Sequence, residues 1–272
     1  MDKLFDIKDK AVVITGGAGI LCSAIAKYLA RQGARICILD YNIVRANELV
    51  REIEADGGFA FGLCANVLDR NELQKSFECA VETLGKIEVL VNGAGGNKKE
   101  ATTSDELSFF DMPAEVIRDV LDLNLIGTIL PCQVFGKHMA EQGDGVILNI
   151  SSMSAFRALT KVGAYSAAKA AVSNFTQWLA IDMCQNYSTN IRVNAIAPGF
   201  FLTNQNRYLL TDEKTGELTS RGRTIIAHTP MGRFGDADEL CGTVHFLVSD
   251  ASKFITGIVL PIDGGFNAFS GV

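Results

Sequence analysis

Residues 15–21 read Thr-Gly-Gly-Ala-Gly-Ile-Leu, directly after the apolar run Ala11–Thr15 and directly before a helix-like segment. A glycine-rich turn between a buried strand and a helix lets the backbone approach a pyrophosphate, and the free N–H groups of the helix start add partial positive charge. A glycine string alone is often a plain turn, but its position here strengthens the signal. The stretch predicts a dinucleotide-binding βα unit, with Gly16, Gly17, Gly19 and Ile20 at the pyrophosphate.

Strand-like and helix-like segments alternate along the rest of the chain. The apolar runs are residues 11–15, 35–39, 59–64, 87–91, 146–150, 191–196 and 258–262. The helix-like segments are residues 22–32, 43–56, 70–84, 114–142, 163–185 and 237–249. Near-continuous apolar runs are typical of parallel strands buried on both faces, and the alternation indicates right-handed βαβ units. The sequence predicts an α/β fold, a single Rossmann-like domain over residues 1–272 with a doubly wound parallel sheet of about seven strands and helices on both faces.

Composition excludes several function classes. The chain has 272 residues, 48% of them hydrophobic and 21% charged, which allows one large core and argues against disorder. A net charge of −6 without a basic block argues against nucleic acid or membrane partners, and the apolar runs are too short to span a bilayer. Seven cysteines without a C-x-x-C pair, and no signal-peptide pattern, predict reduced thiols and a cytoplasmic protein. No metal site is expected, because His138, His228 and His245 lack ligand-like spacing.

One polar segment, residues 200–230, interrupts the alternation of strands and helices. A long insertion of this kind more often covers a ligand than builds a core. We therefore expect a substrate lid there.

The second apolar run ends at Asp40, 24 residues after Gly16, where a carboxylate can accept hydrogen bonds from the adenosine ribose. A carboxylate there repels a 2′-phosphate, so NAD(H) is favoured over NADP(H), although Arg45 could still admit a phosphate. The alternative is an ordinary turn aspartate. Other residues expected at the same edge of the sheet are Asn66, Val67, Asn92, Gly93, Ala94 and Gly95.

A candidate acid–base pair lies at Tyr165 and Lys169, whose spacing places both on one helix face. Tyrosine is a poor acid near neutrality, and a nearby ammonium is expected to lower its pKa. Ser152 follows the strand-like run 146–150 and could hydrogen-bond the reacting oxygen. The spacing alone is common by chance, and a surface helix pair is the alternative.

Taken together, these motifs resemble the short-chain dehydrogenase/reductase family along the whole chain. The matching positions are residues 15–19, 40, 92–95, 124, 151–152, 165–169 and 198–199. The resemblance implies a tetrad in which Tyr165 is the acid–base, Ser152 polarises the carbonyl, Lys169 holds the ribose and lowers the Tyr165 pKa, and Asn124 supports a proton relay. It further implies a homodimer or homotetramer. Cofactor contacts are implied at Tyr165, Lys169, Pro198, Gly199 and Thr203.

Two motifs depart from the family pattern. The family glycine motif T-G-x-x-x-G-x-G has glycines where this chain has Ile20 and Cys22, while Gly19 stands one residue early. The family motif N-N-A-G has an asparagine where this chain has Gly93. The resemblance therefore does not fix the path of the loop around Ile20.

Within the family, residues 96–99, 201–207 and 263–272 are similar to the D-mannonate oxidoreductase (fructuronate reductase) branch. That branch implies a sugar acid and its keto acid as substrates. Such a substrate needs amides and at least one cation, and Arg157 is the first choice for its carboxylate because a guanidinium binds carboxylates in bidentate fashion. The candidate residues are Asn97, Lys98, Arg157, Gln205, Asn206 and Arg207. The charges of Lys98 and Arg207 could equally be solvated surface groups.

Three other functions stay open from the sequence. The chain could be a gluconate 5-dehydrogenase-like enzyme or a 3-ketoacyl-thioester reductase on the same fold. A protein of another class, a non-catalytic NAD sensor, would not need Ser152, Tyr165 and Lys169 together.

Overall fold

Seven parallel strands form one sheet in the order β3-β2-β1-β4-β5-β6-β7. The structure, a computed structural model, describes residues 3–203, 207–212 and 215–271. The strands are β1 (Ala11–Thr15), β2 (Arg35–Asp40), β3 (Phe59–Cys64), β4 (Val89–Asn92), β5 (Gly145–Ile150), β6 (Ile191–Pro198) and β7 (Val259–Ile262). All seven predicted strands are confirmed, with ends that agree or differ by at most two residues.

Helices cover both faces of this sheet. They are α1 (Ile20–Arg31), α2 (Ile43–Ala55), α3 (Arg70–Leu84), α4 (Ala114–Leu121), α5 (Gly127–Gln142), α6 (Gly163–Asn186), α7 (Arg207–Leu210), α8 (Ser220–Ala227) and α9 (Cys241–Val248). The single-domain Rossmann-like fold class is confirmed. In the described part of the chain, no helix is both long and apolar enough to cross a membrane.

The core has two halves, one on each face of the sheet. Val12 and Ile14 of β1 pack with α1, α2 and α9, whereas Ala11 and Val13 pack with α3, α5 and α6. Because successive strand residues point to opposite faces, both faces need apolar side chains, which explains the near-continuous runs. Each fully buried Val, Leu or Ile contributes about 1.5 to 3 kcal/mol relative to an exposed one.

The predicted helix over 114–142 is divided in the structure. A π-helical turn, Asp122–Ile126, separates α4 from α5. Asn124 sits in this turn, and its Nδ2 donates to the carbonyl of Val120 at 2.8 Å. Pro131 lies inside α5 and has no N–H to donate to Gly127, which weakens the helical ladder just after the wide turn.

The polar segment after β6 contains two short helices, α7 and α8, joined by a bridge between Thr211 and Leu218. A second bridge pairs Phe201 with Gly235, so the segment returns to the end of β6 where it began. Its helices were not predicted. Two predicted substrate residues, Gln205 and Asn206, lie outside the described residues.

Candidate active site

The strand order reverses between β1 and β4, and the carboxyl ends of these two neighbouring strands lie at one edge of the sheet. Gly16 follows β1 with a φ of +59°, and a β carbon there would lie 2.7 Å from the backbone N of Ala94. Only glycine allows this close approach without strain. The reversal creates the crevice in which ligands bind in sheets of this kind.

The first turn of α1 faces this crevice without a side-chain cap. The N-cap residue, Gly19, makes no side-chain hydrogen bond, so the first N–H groups of the helix are available to a ligand. A β carbon on Gly17 would lie 2.8 Å from the carbonyl of Ile14 and 3.0 Å from Ile38. The turn therefore leaves backbone N–H groups open to a ligand at the place where the pyrophosphate contacts of Gly16, Gly17, Gly19 and Ile20 are predicted.

Asp40 ends β2 beside the glycine-rich turn, and only 8% of it is exposed. Its Oδ1 accepts from the N–H of Asn42 at 2.9 Å, and its Oδ2 accepts from the N–H of Ala18 at 3.1 Å. The carboxylate therefore stabilises the glycine-rich turn even without a ligand. A carboxylate has about four acceptor sites, so two remain for ribose hydroxyls.

The other predicted cofactor residues lie along the same edge. Asn66 and Val67 follow β3, and the N–H of Asn66 donates to Glu72 at 2.7 Å. Asn92 was predicted to contact the cofactor, but its side chain is buried and donates to Oδ1 of Asn149 at 2.9 Å. Asn149 in turn donates to Thr176 of α6, so this polar chain ties β4 and β5 to the helix that carries Tyr165.

The end of β6 forms the far side of the edge. Pro198 is the last residue of β6, and the N–H of Gly199 donates to the carbonyl of Ile262 at 2.8 Å. A β carbon on Gly199 would lie 2.7 Å from Asp263, so glycine is required there for close packing. Thr203 follows, and its carbonyl accepts from the N–H of Arg207.

The two departures from the family pattern meet in space. A β carbon built on Gly93 would overlap Sγ of Cys22 and would lie 2.9 Å from the carbonyl of Thr15. Burial raises the pKa of Cys22 to about 12, so this thiol stays protonated and fills the space as an apolar group. The cysteine in α1 and the glycine after β4 are therefore sterically coupled. This coupling could not be predicted from the sequence, because nothing in the chain order links positions 71 residues apart.

We expect Gly93→Ala to destabilise the fold by about 1 to 3 kcal/mol, because the added carbon meets the thiol. Cys22→Ala removes Sγ and leaves the nearest carbon 3.6 Å from the new one, so the double variant should recover at least about 1 kcal/mol of that loss. Urea unfolding of the four proteins in the cycle measures the coupling. Gly242→Ala is the matched control, since a β carbon there meets nothing within 4 Å. Additive effects of the two substitutions would show that the coupling is absent.

The four residues of the predicted tetrad lie near the glycine-rich turn that follows β1. Ser152 follows β5, and Tyr165 and Lys169 lie one turn apart on α6, with Nζ of Lys169 5.7 Å from the ring centre of Tyr165. Nζ of Lys169 donates to the carbonyl of Ile150 at 2.8 Å, which holds the ammonium under the end of β5.

Asn124 reaches the same place from the π-helical turn. Its Oδ1 accepts from the N–H of Gly96 at 3.1 Å and its Nδ2 donates to the Gly96 carbonyl at 2.7 Å. A β carbon on Gly95 would lie 2.7 Å from Oδ1 of Asn124 and 3.1 Å from Nζ of Lys169. The amide and the ammonium therefore flank the same glycine.

The electrostatics of the pair differ from the prediction. Burial raises the pKa of Tyr165 above its ordinary value, and a hydrogen bond with Ser152 lowers it in part. Burial also lowers the pKa of Lys169 to about 8. The predicted lowering of the Tyr165 pKa by Lys169 is wrong for the chain by itself, because desolvation disfavours the phenolate and outweighs the other effects. The phenol is protonated at neutral pH.

The predicted substrate residues that the structure describes differ in their hydrogen-bond partners and exposure. Nδ2 of Asn97 donates to Thr102 at 2.8 Å, while its buried Oδ1 has no hydrogen-bond partner among the described residues. Lys98 is paired with Asp119, Nζ to Oδ2, at 2.6 Å. Arg207 is exposed at the start of α7.

Arg157 contacts the C-terminal part of the chain. Its Nη2 donates to the carbonyl of Asn267 at 2.7 Å and its Nε to the side-chain oxygen of Asn267 at 3.3 Å. Both acceptors are neutral, so this exposed guanidinium has no carboxylate partner in the described part of the chain. The contact brings residues 263–271 to the loop that follows Ser152.

Arg221 was not among the predicted substrate residues. It lies in the first turn of α8, and its guanidinium donates to Oγ1 of Thr160 at 2.7 Å and to the Thr160 carbonyl at 3.2 Å. The only sequence signal was its position in a polar segment expected to cover a ligand. In the described ranges, no group of three or more His, Cys, Asp or Glu residues could hold a metal ion.

Comparisons with known proteins agree with this arrangement over nearly the whole chain. A family model described as Enoyl-(Acyl carrier protein) reductase matches residues 17–267. The chain is 46% identical to the uncharacterized oxidoreductase UxuB of Bacillus subtilis (strain 168), over 98% of both chains. Its structure is similar to that of a chain from Haemophilus influenza called a D-mannonate oxidoreductase, solved with bound NAD, with a TM-score of 0.92 and 45% identity over 98% of each chain. It is also similar to a gluconate 5-dehydrogenase from Burkholderia cenocepacia J2315 in complex with NADP and tartrate, with a TM-score of 0.87 and 30% identity over 98% of each chain.

Proposed function

Because this chain belongs to the short-chain dehydrogenase/reductase family and is an oxidoreductase of alcohol and ketone groups, we propose that it acts on a sugar acid, with D-mannonate and D-fructuronate as its substrate pair. The observation that carries the proposal is the convergence of Asn124, Ser152, Tyr165 and Lys169 at the crevice between β1 and β4. The similarity to a chain called a D-mannonate oxidoreductase supports the choice of substrate.

NAD(H) is the proposed cofactor, and when bound it supplies or accepts the hydride. The uncapped start of α1 and the glycines after β1 would hold its pyrophosphate, and Asp40 would accept hydrogen bonds from its adenosine ribose. The Asp40 carboxylate would repel a 2′-phosphate. One similar structure holds NAD and another holds NADP, so the preference rests on this carboxylate. Further residues proposed to contact the cofactor are Asn66, Val67, Gly93, Ala94, Gly95, Pro198, Gly199 and Thr203.

Proton transfer is assigned to Tyr165. Burial holds the pKa of its phenol above the ordinary value, so the proton is present at neutral pH and can pass to the carbonyl oxygen of a ketone. Ser152 would donate a hydrogen bond to that same oxygen, which strengthens as negative charge develops on it. Lys169 and Asn124, which flank Gly95, would return a proton to Tyr165 through ordered water.

The sugar acid would lie outside this tetrad, against the loops that follow β4, β5 and β6. Arg157 is proposed to bind the carboxylate in exchange for the neutral oxygens of Asn267, because charge-assisted bidentate bonds are stronger than neutral ones. Residues 200–230 would act as a lid over the substrate. A homodimer or homotetramer is proposed from the family. Other proposed substrate contacts are Asn97, Lys98, Gln205, Asn206 and Arg207.

A second candidate function is gluconate 5-dehydrogenase activity. The similarity at 30% identity to a gluconate 5-dehydrogenase with bound tartrate favours it, since tartrate is also a polyhydroxylated carboxylate. The same tetrad would serve both reactions, so only the substrate contacts distinguish them.

The test is NADH oxidation against a panel of ketones. We expect the highest kcat/KM with D-fructuronate, lower values with D-tagaturonate and 5-keto-D-gluconate, and none with a 3-ketoacyl thioester. NADH should be preferred to NADPH by about tenfold or more, since like charges placed together cost several kcal/mol. A preference for 5-keto-D-gluconate would support the second candidate. Thioester reduction with NADPH, or nucleotide binding without turnover on any ketone, would refute the proposal.

A further inference from the structure

Arg221 is a partly buried cation whose described partners are neutral. Thr160 accepts hydrogen bonds from two of its five N–H donors, through one hydroxyl and one carbonyl oxygen. No carboxylate of the described residues lies within ion-pair distance of its guanidinium. Burial lowers the pKa of Arg221, which nevertheless stays charged at neutral pH. Charges that leave water are normally paired, so this position favours an anion.

The location of Arg221 links it to the tetrad. Thr160 lies between Ser152 and Tyr165 in sequence, in the loop that follows β5. The carbonyl of the next residue, Lys161, accepts from the N–H of Thr103 at 3.0 Å, in the segment that follows β4. Arg221 itself belongs to the segment that follows β6. The segments that follow the three neighbouring strands β4, β5 and β6 therefore meet at residues 160–161, in the loop that joins Ser152 to Tyr165, and we call this meeting point the rim.

The cations around this rim are not equivalent. Lys98 is neutralised by Asp119, and Arg233 is paired with Glu239 through two hydrogen bonds. Arg157 has neutral partners but is exposed, so water screens its charge. Arg221 combines partial burial with neutral partners, and three of its N–H donors have no acceptor among the described residues. It can bind a carboxylate while keeping its contact with Thr160.

We propose that Arg221 is a specificity-determining residue that binds the carboxylate of the sugar-acid substrate, in addition to the exposed Arg157 proposed above for the same group. This inference rests on the proposed function. The carboxylate would accept from the guanidinium edge that Thr160 leaves open, and α8 would thereby be held over the substrate. A neutral sugar alcohol or ketose of the same length would lack this bond, so Arg221 would select acids over neutral sugars.

The experiment compares a matched pair of probes on Arg221→Gln. Turnover is measured with D-fructuronate and D-fructose, which differ by a carboxylate and a hydroxymethyl group, and binding is measured by calorimetry with D-mannonate and D-mannitol. We expect Arg221→Gln to raise KM for D-fructuronate and Kd for D-mannonate by about 10- to 100-fold, the range for hydrogen bonds to charged groups. The values for D-fructose and D-mannitol should not change, and Arg221→Lys should restore part of the loss.

Two control variants separate recognition from a structural role. Arg223→Gln removes an exposed cation two residues along the same helix. It should change neither KM nor Kd for any of the four compounds. Thr160→Val removes the hydroxyl acceptor and keeps the cation, so selectivity for acids should survive. If Arg221→Gln raises KM and Kd equally for acids and neutral sugars, or changes these values for neither, the inference is overturned while the proposed function stands. If the unsubstituted protein neither reduces a keto sugar acid nor binds D-mannonate, both are overturned.

Discussion

Tyr165→Phe is expected to lower kcat for ketone reduction by about 10² to 10⁴-fold, the usual contribution of a positioned acid or base. The substitution removes one oxygen and keeps the ring, so the packing of α6 beside Ser152 and Lys169 should survive. NADH binding should be nearly unchanged, because the glycine-rich turn and Asp40 lie elsewhere on the edge. Steady-state rates and NADH calorimetry on the same preparation measure the two quantities separately.

Tyr187→Phe is the matched control for this prediction. Tyr187 caps the far end of the same helix and is 59% exposed, so its hydroxyl should not affect turnover. Retention of more than a tenth of the original turnover by Tyr165→Phe would remove Tyr165 from the reaction. Loss of NADH binding together with turnover would instead indicate that the substitution disturbs the site.

Lys169→Met should have opposite effects on turnover and on stability. Turnover should fall by about 10²-fold or more, because the variant cannot support proton transfer through Tyr165. Lys169 is only 4% exposed, and burial lowers its pKa from 10.5 to about 8, which corresponds to a cost of about 3 kcal/mol for the buried charge. The carbonyl of Ile150 loses its donor in the variant, which offsets part of the gain. We expect the free energy of unfolding to rise by about 1 to 2 kcal/mol.

The pH dependence of this stability difference follows from the direction of the shift. Between pH 8 and 10.5 the unfolded chain keeps the Lys169 proton while the folded chain has lost it, so the native protein gains stability as the pH rises through this range. Below pH 8 the cost is fully present. The advantage of Lys169→Met should therefore be largest at pH 7 and should shrink by pH 10. Denaturant unfolding at both values measures it.

The matched control for Lys169→Met is Lys137→Met. Lys137 lies on the surface of α5, where its ammonium faces water, so its removal should change stability little at any pH. An advantage of Lys169→Met that is the same at pH 7 and pH 10 would show that the buried charge is not the cause.

The strands and several of the helices were the most predictable parts of this molecule. Residues 59–64 and 70–84 were predicted with the ends that β3 and α3 have, because each begins and ends at a change in hydrophobic pattern. The grouping of Ser152, Tyr165 and Lys169 was also predictable from their spacing after β5 and along α6, whereas Asn124 followed only from the family resemblance. Patterns of this kind are local, and local patterns are what a single sequence displays.

The features that escaped prediction depend on contacts between distant segments. Arg221 finds Thr160 across 61 residues, and Cys22 meets Gly93 across 71. The direction of the Tyr165 pKa shift also depends on packing, because burial is a property of the folded chain. Residues 122–126 have an ordinary helical pattern, so a wider turn could not be distinguished from a continuous α-helix.

That wider turn makes the position of Asn124 depend on how many residues the helix contains. A π-helical turn accommodates an extra residue within an α-helix, so deleting one residue from 122–126 would restore regular α-helical turns and remove the wide turn that carries Asn124. The amide would then leave the backbone of Gly96, although every side chain named in the tetrad would still be present in the sequence. A related chain could thus lose this site through a single gap, and a comparison that scores residue identities alone would overlook it.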